Sequence, residues 1–174
     1  KGVRVAAAPI LDALLAPALA GSDVGLVSEA GLAAVADPGA AIVQAAHRLG
    51  IEVVPLPGAS SLLLALAASG LEGQSFAFVG YLPIDDTARA ARIRELEALS
   101  RRAAQSQLMI ETPYRNMALL AALLAHLQPS TRLAVSCGLT LPAGWNRSDS
   151  VSAWRARSMR VPTDVPAVFA LQAG

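Results

Sequence analysis

Two short apolar runs, each ending in a glycine- and proline-bearing loop that leads into a helix, constrain this chain more than any other feature. Val24 to Ser28 reads as a buried strand, and Ile51 to Pro55 as a second, apolar except for Glu52. Around them the spacing predicts helices. The first covers Leu11 to Leu19, with Pro17 kinking or ending it. The next opens at Pro38 and Gly39, with Asp37 as its N-cap, and runs to about Arg48 before stopping at Gly50. A third follows Gly58 to Ser61 and ends near Gly70. Strands alternating with helices across short loops predict a parallel, Rossmann-like sheet covered by helices. Unbroken apolar strands belong in such a sheet, because both of its faces are buried.

Beyond Gly70 to Ser75 the pattern changes. Strands are predicted at Phe76 to Tyr81 and Gln107 to Glu111. A charged helix from Asp86 to about Gln105 has its apolar face at Ile93, Leu96 and Leu99, and an apolar helix covers Arg115 to Leu127. Three further strands are expected at Leu133 to Cys137, Val151 to Trp154 and Val168 to Leu171. Consecutive strands late in the chain predict antiparallel pairing and a separate mixed-sheet domain. The expected organisation is therefore an α/β chain in two domains, residues 1–73 and 74–174.

Composition narrows the function classes. Hydrophobic residues make up 54% of the chain and charged residues 16%, which supports a packed core rather than disorder. With aromatics at only 4%, that core is expected to be rich in Ala and Leu. The longest apolar stretch, Leu62 to Ala68, is far shorter than the roughly 20 residues of a spanning helix, so no membrane segment is predicted. Cys137 is alone, which excludes an intrachain disulfide and a thiolate metal cage and points to a reducing, cytoplasmic setting. His47 and His126 are expected at helix edges, and no metal site is predicted. A net charge of +1 neither declares nor excludes a nucleic-acid partner.

Three loops are placed to carry chemistry. In open α/β sheets ligands sit at the carboxyl ends of strands. The first loop is Ser28-Glu29-Ala30-Gly31, continuing to Asp37-Pro38-Gly39; the second is Pro55 to Ser61, with Gly58, Ala59, Ser60 and Ser61 opening the helix. Glycine admits a ligand to the backbone, and the following helix start offers free N–H groups. The same residues also read as plain turns and caps. Neither loop carries a dinucleotide or P-loop pattern. The third loop, Glu111-Thr112-Pro113-Tyr114-Arg115-Asn116, puts an acid at a strand end and Tyr and Arg at a helix start, with capping by Thr112 as the structural alternative. Arg89, Arg92, Arg94, Arg101 and Arg102 alternate with Glu95 and Glu97, which predicts a solvated helix face. Trp145, Arg147, Trp154, Arg155 and Arg157 form a looser aromatic–basic cluster whose chemistry suits base stacking, with one Trp expected in the core.

Taken in order, Val27-Ser-Glu-Ala-Gly31, Ala36-Asp-Pro-Gly39, Val54-Pro-Leu-Pro-Gly58, Ala67-Ala-Ser-Gly-Leu71 and Val79-Gly-Tyr-Leu-Pro83 resemble the tetrapyrrole (corrin/porphyrin) methylase superfamily. Glu111-Thr-Pro-Tyr-Arg115 and Leu139-Thr140 extend the likeness, which is nearest to the branch that methylates ribose 2′-oxygens of small-subunit ribosomal RNA. The resemblance implies two α/β domains, S-adenosylmethionine folded into the cleft between them, and a homodimer. Carried over position by position, it implies cofactor binding by Ser28, Glu29, Ala30, Gly31, Gly58, Ala59, Ser60 and Ser61. Asp37 would brace the first loop. Ile110, Glu111 and Gly138 would cover the cofactor from the second domain. Tyr114 and Arg115 are the acceptor-side candidates, and Glu29 and Glu111 the acids for proton removal.

Three departures from the family pattern bear on the acceptor. No counterpart of the family's opening strand and loop stands before Lys1, so the sheet is expected to be incomplete at its N-terminus. Glu29 replaces an Asp, and Leu32-Ala33 a Thr-Pro. Leu141 to Arg147 lacks the acidic residue that follows Leu139-Thr140 in the RNA branch. The resemblance thus implies an S-adenosylmethionine-dependent methyltransferase acting on RNA, with a tetrapyrrole-like acceptor as the alternative and a non-catalytic cofactor-binding or scaffold relative as the reading from another class.

Overall fold

The computed structural model describes residues 8–28, 31–157 and 159–174. They fall into two compact units, 1–60 and 61–174.

The first unit is built on two helices, α1 (Ala8–Leu19) and α2 (Ala40–Arg48). They pack through Leu15, Ala45 and Ala46, with Leu11, Ile42, Leu49, Ile51 and Val53 around them. Pro17 sits inside α1 without ending it. The two expected strands do not form here. Residues 22–28 and 51–60 carry no regular secondary structure and pair with no strand among the described residues. Their exposure shows the reason. Ile51 and Val53 are half-buried towards the helices, whereas Glu52 and Val54 are exposed, so only one face is covered. Val24, Leu26, Val27 and Leu56 are also exposed. An apolar run becomes a buried parallel strand only with hydrogen-bonded neighbours. The start of α2 also differs from expectation. Gly39 is the N-cap, with no side-chain bond, and Asp37 instead accepts a hydrogen bond from the Ser28 hydroxyl.

The second unit is a five-stranded mixed sheet with helices on both faces. Its elements are α3 (Ser61–Ser69), β1 (Phe76–Phe78), α4 (Asp86–Ala103), β2 (Ser106–Glu111), α5 (Asn116–His126), β3 (Arg132–Cys137), β4 (Trp145–Ser150), α6 (Val151–Arg155) and β5 (Ala167–Gln172). The strand order is β1-β2-β5-β3-β4. β1 and β2 run parallel, and β5 is antiparallel to both β2 and β3. It follows that β1, β2 and β3 all point the same way.

The period of two along each strand sorts the core into two layers. Met109, Leu133, Val135, Phe169 and Leu171 meet Ile93 and Leu96 of α4, Leu119 and Leu123 of α5, and Trp154 of α6. On the other face Leu108, Ala134, Val168 and Ala170 meet Leu62, Ala65 and Leu66 of α3. Each such Leu stabilises by about 1.5–3 kcal/mol on burial. This packing fixes α3 to the sheet of the second unit, although the sequence groups it with the first.

Most elements of this unit lie where the apolar period predicts them. The exception is Val151 to Trp154, expected as a strand and found as a helix. Ser150 accepts a hydrogen bond from the Ala153 amide at 3.2 Å, and Val151 and Trp154, three apart, both turn into the core. A good cap and helical spacing outweigh β-propensity over so short a run. The strand is instead the polar stretch Trp145–Ser150, an edge strand whose one neighbour is β3.

Candidate functional site

Because β1, β2 and β3 are co-directional, their carboxyl ends share one end of the sheet. Glu111, Ala167, Cys137 and Trp145 form a single cross-strand row there. Each strand leaves the row through a different loop. Beyond β1 the Gly80 carbonyl accepts the Ile110 amide at 3.2 Å. Gly80 has φ +73, and a Cβ there would meet nothing within 4 Å. The conformation favours glycine, and the space a side chain would take is empty. Beyond β3, Gly138 has φ +54, and its carbonyl accepts the Leu141 amide at 2.8 Å. A Cβ at Gly138 would stand 3.1 Å from Leu141 Cδ1, so this turn is tight.

Beyond β2 the chain turns through a single 3-10 turn, Pro113–Arg115, into α5. Glu111 organises that turn. Its Oε1 accepts the Thr112 amide at 2.8 Å and the Thr112 hydroxyl at 3.2 Å. Its Oε2 lies 3.2 Å from Arg115 Nη2 as an ion pair, off the line of a hydrogen bond. The Glu111 side chain is fully buried, and that of Arg115 is 17% exposed. Glu111 is therefore an internal strut, with its carboxylate facing Thr112 and Arg115 rather than solvent. Tyr114 behaves oppositely, at 79% exposed. Thr112 does not cap with its side chain, contrary to the structural alternative.

The thiol of Cys137 is buried in the same row. Burial pushes it up to about 11, and the Asp164 carboxylate adds to the rise. It remains a neutral thiol at physiological pH. The aromatic–basic cluster is mostly structural. Trp154 is core, its indole N–H donating to the Leu133 carbonyl at 2.8 Å. Arg147 lies 5.4 Å over that ring and pairs with Asp149. The Ser150 amide, more than Arg147, holds the Asp149 carboxyl below its usual range. Arg155 donates to the Leu124 and Leu127 carbonyls at the end of α5. Trp145, half-buried, touches Trp154 edge-on.

In the first unit, Glu29 and Ala30 lie outside the described residues. Around them, Ser28 and Asp37 are joined by their hydrogen bond, and Gly31 is exposed. Ala34 and Ala36 both have positive φ, 64° and 60°. Alanine pays roughly 1–2 kcal/mol for that conformation, so the 31–39 loop is held in a shape its residues do not favour. In the 55–61 loop, Gly58 and Ala59 are exposed and Ser60 is buried. A Cβ at Gly58 would meet only Leu32 Cδ1, at 3.9 Å.

The family model for tetrapyrrole (corrin/porphyrin) methylases matches residues 4–145. The chain belongs to this family. Among curated methylase relatives, ribosomal RNA small subunit methyltransferase I of Vibrio cholerae is 39% identical over 97 residues, 56% of this chain and 32% of that protein. The protein of the same name from Bacillus subtilis is 40% identical over 120 residues, 69% of this chain and 39% of that protein. The Synechocystis one is 36% identical over 127 residues, 73% and 44%. The chain thus spans 32–44% of the length of these relatives. In solved structures the same fold recurs in the methyltransferase CobJ (TM-score 0.60, 18% identity, 94% of this chain and 71% of that chain). It recurs also in a uroporphyrin-III-C-methyltransferase from Thermus thermophilus (TM-score 0.51, 22% identity, 94% and 67%).

For a member of the methylase family, the open backbone at Gly58 and Gly80 is the pertinent test of the cofactor. Both positions leave the main chain accessible where a side chain would otherwise stand, which suits a ligand gripped by backbone groups. Each loop, taken by itself, leaves room for a ligand held by backbone groups, as S-adenosylmethionine would be. Two further candidate residues carry no assigned role in the sequence reading. Gly80 stands inside the Val79-Gly-Tyr-Leu-Pro83 motif and within the stretch expected as a strand; the observed strand ends at Phe78, which puts the glycine just beyond it. Asn116, a polar residue opening an otherwise apolar helix, is fully buried.

Proposed function

We propose that this protein is an S-adenosylmethionine-dependent methyltransferase of small-subunit ribosomal RNA, acting on a ribose 2′-oxygen. The observation that carries the reading is the identity of 36–40% to several proteins named ribosomal RNA small subunit methyltransferase I. The bound cofactor would supply an electrophilic methyl group on a sulfonium. The protein's own work is alignment, exclusion of water and placement of partial negative charge. We assign cofactor binding to Ser28, Glu29, Ala30, Gly31, Asp37, Gly58, Ala59, Ser60, Ser61, Ile110 and Gly138, and add Gly80. Glu111 joins them as the residue that shapes the Thr112–Arg115 turn. Since its carboxylate is enclosed, Glu29 is the acid we assign to removing the acceptor's proton. Tyr114 faces the acceptor, and Arg115 supports it through Glu111.

The full protein is read as a cytoplasmic homodimer, on the family resemblance and on a single, buried cysteine. No helix among the described residues is long and apolar enough to cross a membrane. For the complete fold we retain residues 1–73 as the cofactor-binding domain and 74–174 as the mixed α/β domain. Transfer of labelled methyl from S-adenosylmethionine to small-subunit ribosomal RNA tests the reading, with label expected in the ribose. Transfer to a tetrapyrrole and not to RNA would move the acceptor to the alternative class. Cofactor binding without transfer to either would mark a non-catalytic relative.

A further inference from the structure

The loop from Met159 to Pro166 leads into Ala167, which is paired with Glu111 and Cys137, so it reaches the same end of the sheet as the site. One side chain fastens it. The Asn116 Nδ2 donates to the Pro162 carbonyl at 2.7 Å and to the Val165 carbonyl at 2.9 Å. Asn116 is 0% exposed, and its Oδ1 is buried with no hydrogen-bond partner among the described residues. The Val161 amide adds a contact to Met117 Sδ at 3.3 Å, and Val161 is itself buried in the main core. Both donors of a fully buried amide are thus spent on one loop. Aspartate, with the same shape, has no donor to offer.

This fastening brings two exposed groups onto neighbouring segments. Arg160 precedes the tied Val161 and is exposed. Tyr114 stands two residues before Asn116 and is 79% exposed. An exposed aromatic ring and an exposed guanidinium on adjoining segments are the two groups that bind single-stranded nucleic acid, with a base on the ring and a phosphate on the cation. The core uses neither group. The Trp145–Trp154 cluster, the other aromatic–basic candidate, has its rings and Arg147 committed to packing and to each other.

We propose that Asn116 is a positioning residue for the acceptor: by tying Pro162 and Val165 it holds Arg160 beside Tyr114, and the two grip a single-stranded RNA segment. This rests on the RNA reading above and adds the residues that do the gripping.

The test uses Asn116→Ala, Arg160→Ala and Tyr114→Ala in the protein. Three quantities are measured: RNA affinity for a single-stranded small-subunit fragment across a salt series, affinity for S-adenosylhomocysteine, and the rate of tryptic cleavage after Arg160. In Asn116→Ala, cleavage after Arg160 is expected to rise about tenfold, since the loop now opens locally. RNA affinity is expected to fall about tenfold and S-adenosylhomocysteine affinity to stay within about twofold. Arg160→Ala, a surface change with little bearing on folding, is expected to lower the salt slope of RNA binding by about one. Tyr114→Ala is expected to weaken RNA binding about tenfold with the slope unchanged. Unchanged cleavage in Asn116→Ala would overturn the anchoring. Faster cleavage with wild-type RNA affinity, or unaltered RNA binding in Arg160→Ala and Tyr114→Ala, would overturn the acceptor role. A wild-type protein that binds S-adenosylhomocysteine but no RNA would instead defeat the RNA reading itself. If Asn116→Ala fails to fold, the two surface variants still decide the acceptor role.

Discussion

Glu111→Gln separates a strut from a base. The carboxylate is fully buried and serves Thr112 through one oxygen and Arg115 through the other. Glutamine can still accept from the Thr112 amide, but it leaves the Arg115 guanidinium without its counter-charge. Removing one partner of a buried pair costs about 3–5 kcal/mol. The value here should be smaller, because Arg115 keeps 17% of its side chain in solvent and its contact lies off the hydrogen-bonding line. About 2–3 kcal/mol is expected, which lowers Tm by roughly 5–10 °C for a chain of this size. Arg115→Met leaves the carboxylate uncompensated and should cost a similar amount. The double variant removes both charges and should recover about 1–2 kcal/mol relative to the sum. Urea denaturation of the four proteins provides the cycle. Single effects that add to within about 0.5 kcal/mol would refute the strut, as would a Glu111→Gln protein as stable as wild type.

Two further outcomes follow from the same geometry. Cys137, raised to about 11 by burial and then by Asp164, holds its proton more tightly folded than unfolded. Its contribution to stability is present below its ordinary value near 9 and is lost as pH climbs through 11. The alkaline fall in Tm should therefore be shallower in Cys137→Ala; identical alkaline slopes would contradict the burial. Gly58→Val should lower S-adenosylhomocysteine affinity at least tenfold while moving Tm little, since a Cβ at this exposed position meets only Leu32 Cδ1, at 3.9 Å. Unchanged affinity would place the ligand elsewhere.

How far the sequence discloses the fold varies with the physics of each segment. The second unit was legible because its strands are covered on both faces. Leu108 packs on α3 while Met109 packs towards α4 and α5, and apolar runs such as Leu133–Cys137 betray that environment. Val151–Trp154 was misread because four residues hold both a strand-like composition and a helical spacing, and the Ser150 cap decides between them. Val24–Ser28 and Ile51–Pro55 carry the composition of buried strands, but pairing is a property of neighbours and not of the run itself. Ala34 and Ala36 could not have been placed in the left-handed region, which alanine disfavours.

The site shows the same division. Gly58 and Gly138 were readable as glycines at the ends of apolar runs, in motifs whose order is specific to the family. Glu111 was readable as a candidate acid at a strand end but not as an enclosed one, because the sequence does not say that Arg115, one helical turn on, folds back onto it. Asn116 was hidden for a related reason. Its partners Pro162 and Val165 are more than forty residues away in sequence, and both offer only carbonyl groups, which every residue has.

The loops around Gly31, Gly58, Gly80 and Gly138 are proposed above to serve S-adenosylmethionine. Titration calorimetry of this 174-residue chain with S-adenosylhomocysteine tests that assignment most directly. Saturable heat at one site per chain is expected, weakened in Gly58→Val. A flat titration with both S-adenosylhomocysteine and S-adenosylmethionine, in a chain whose thermal unfolding is cooperative, would contradict it.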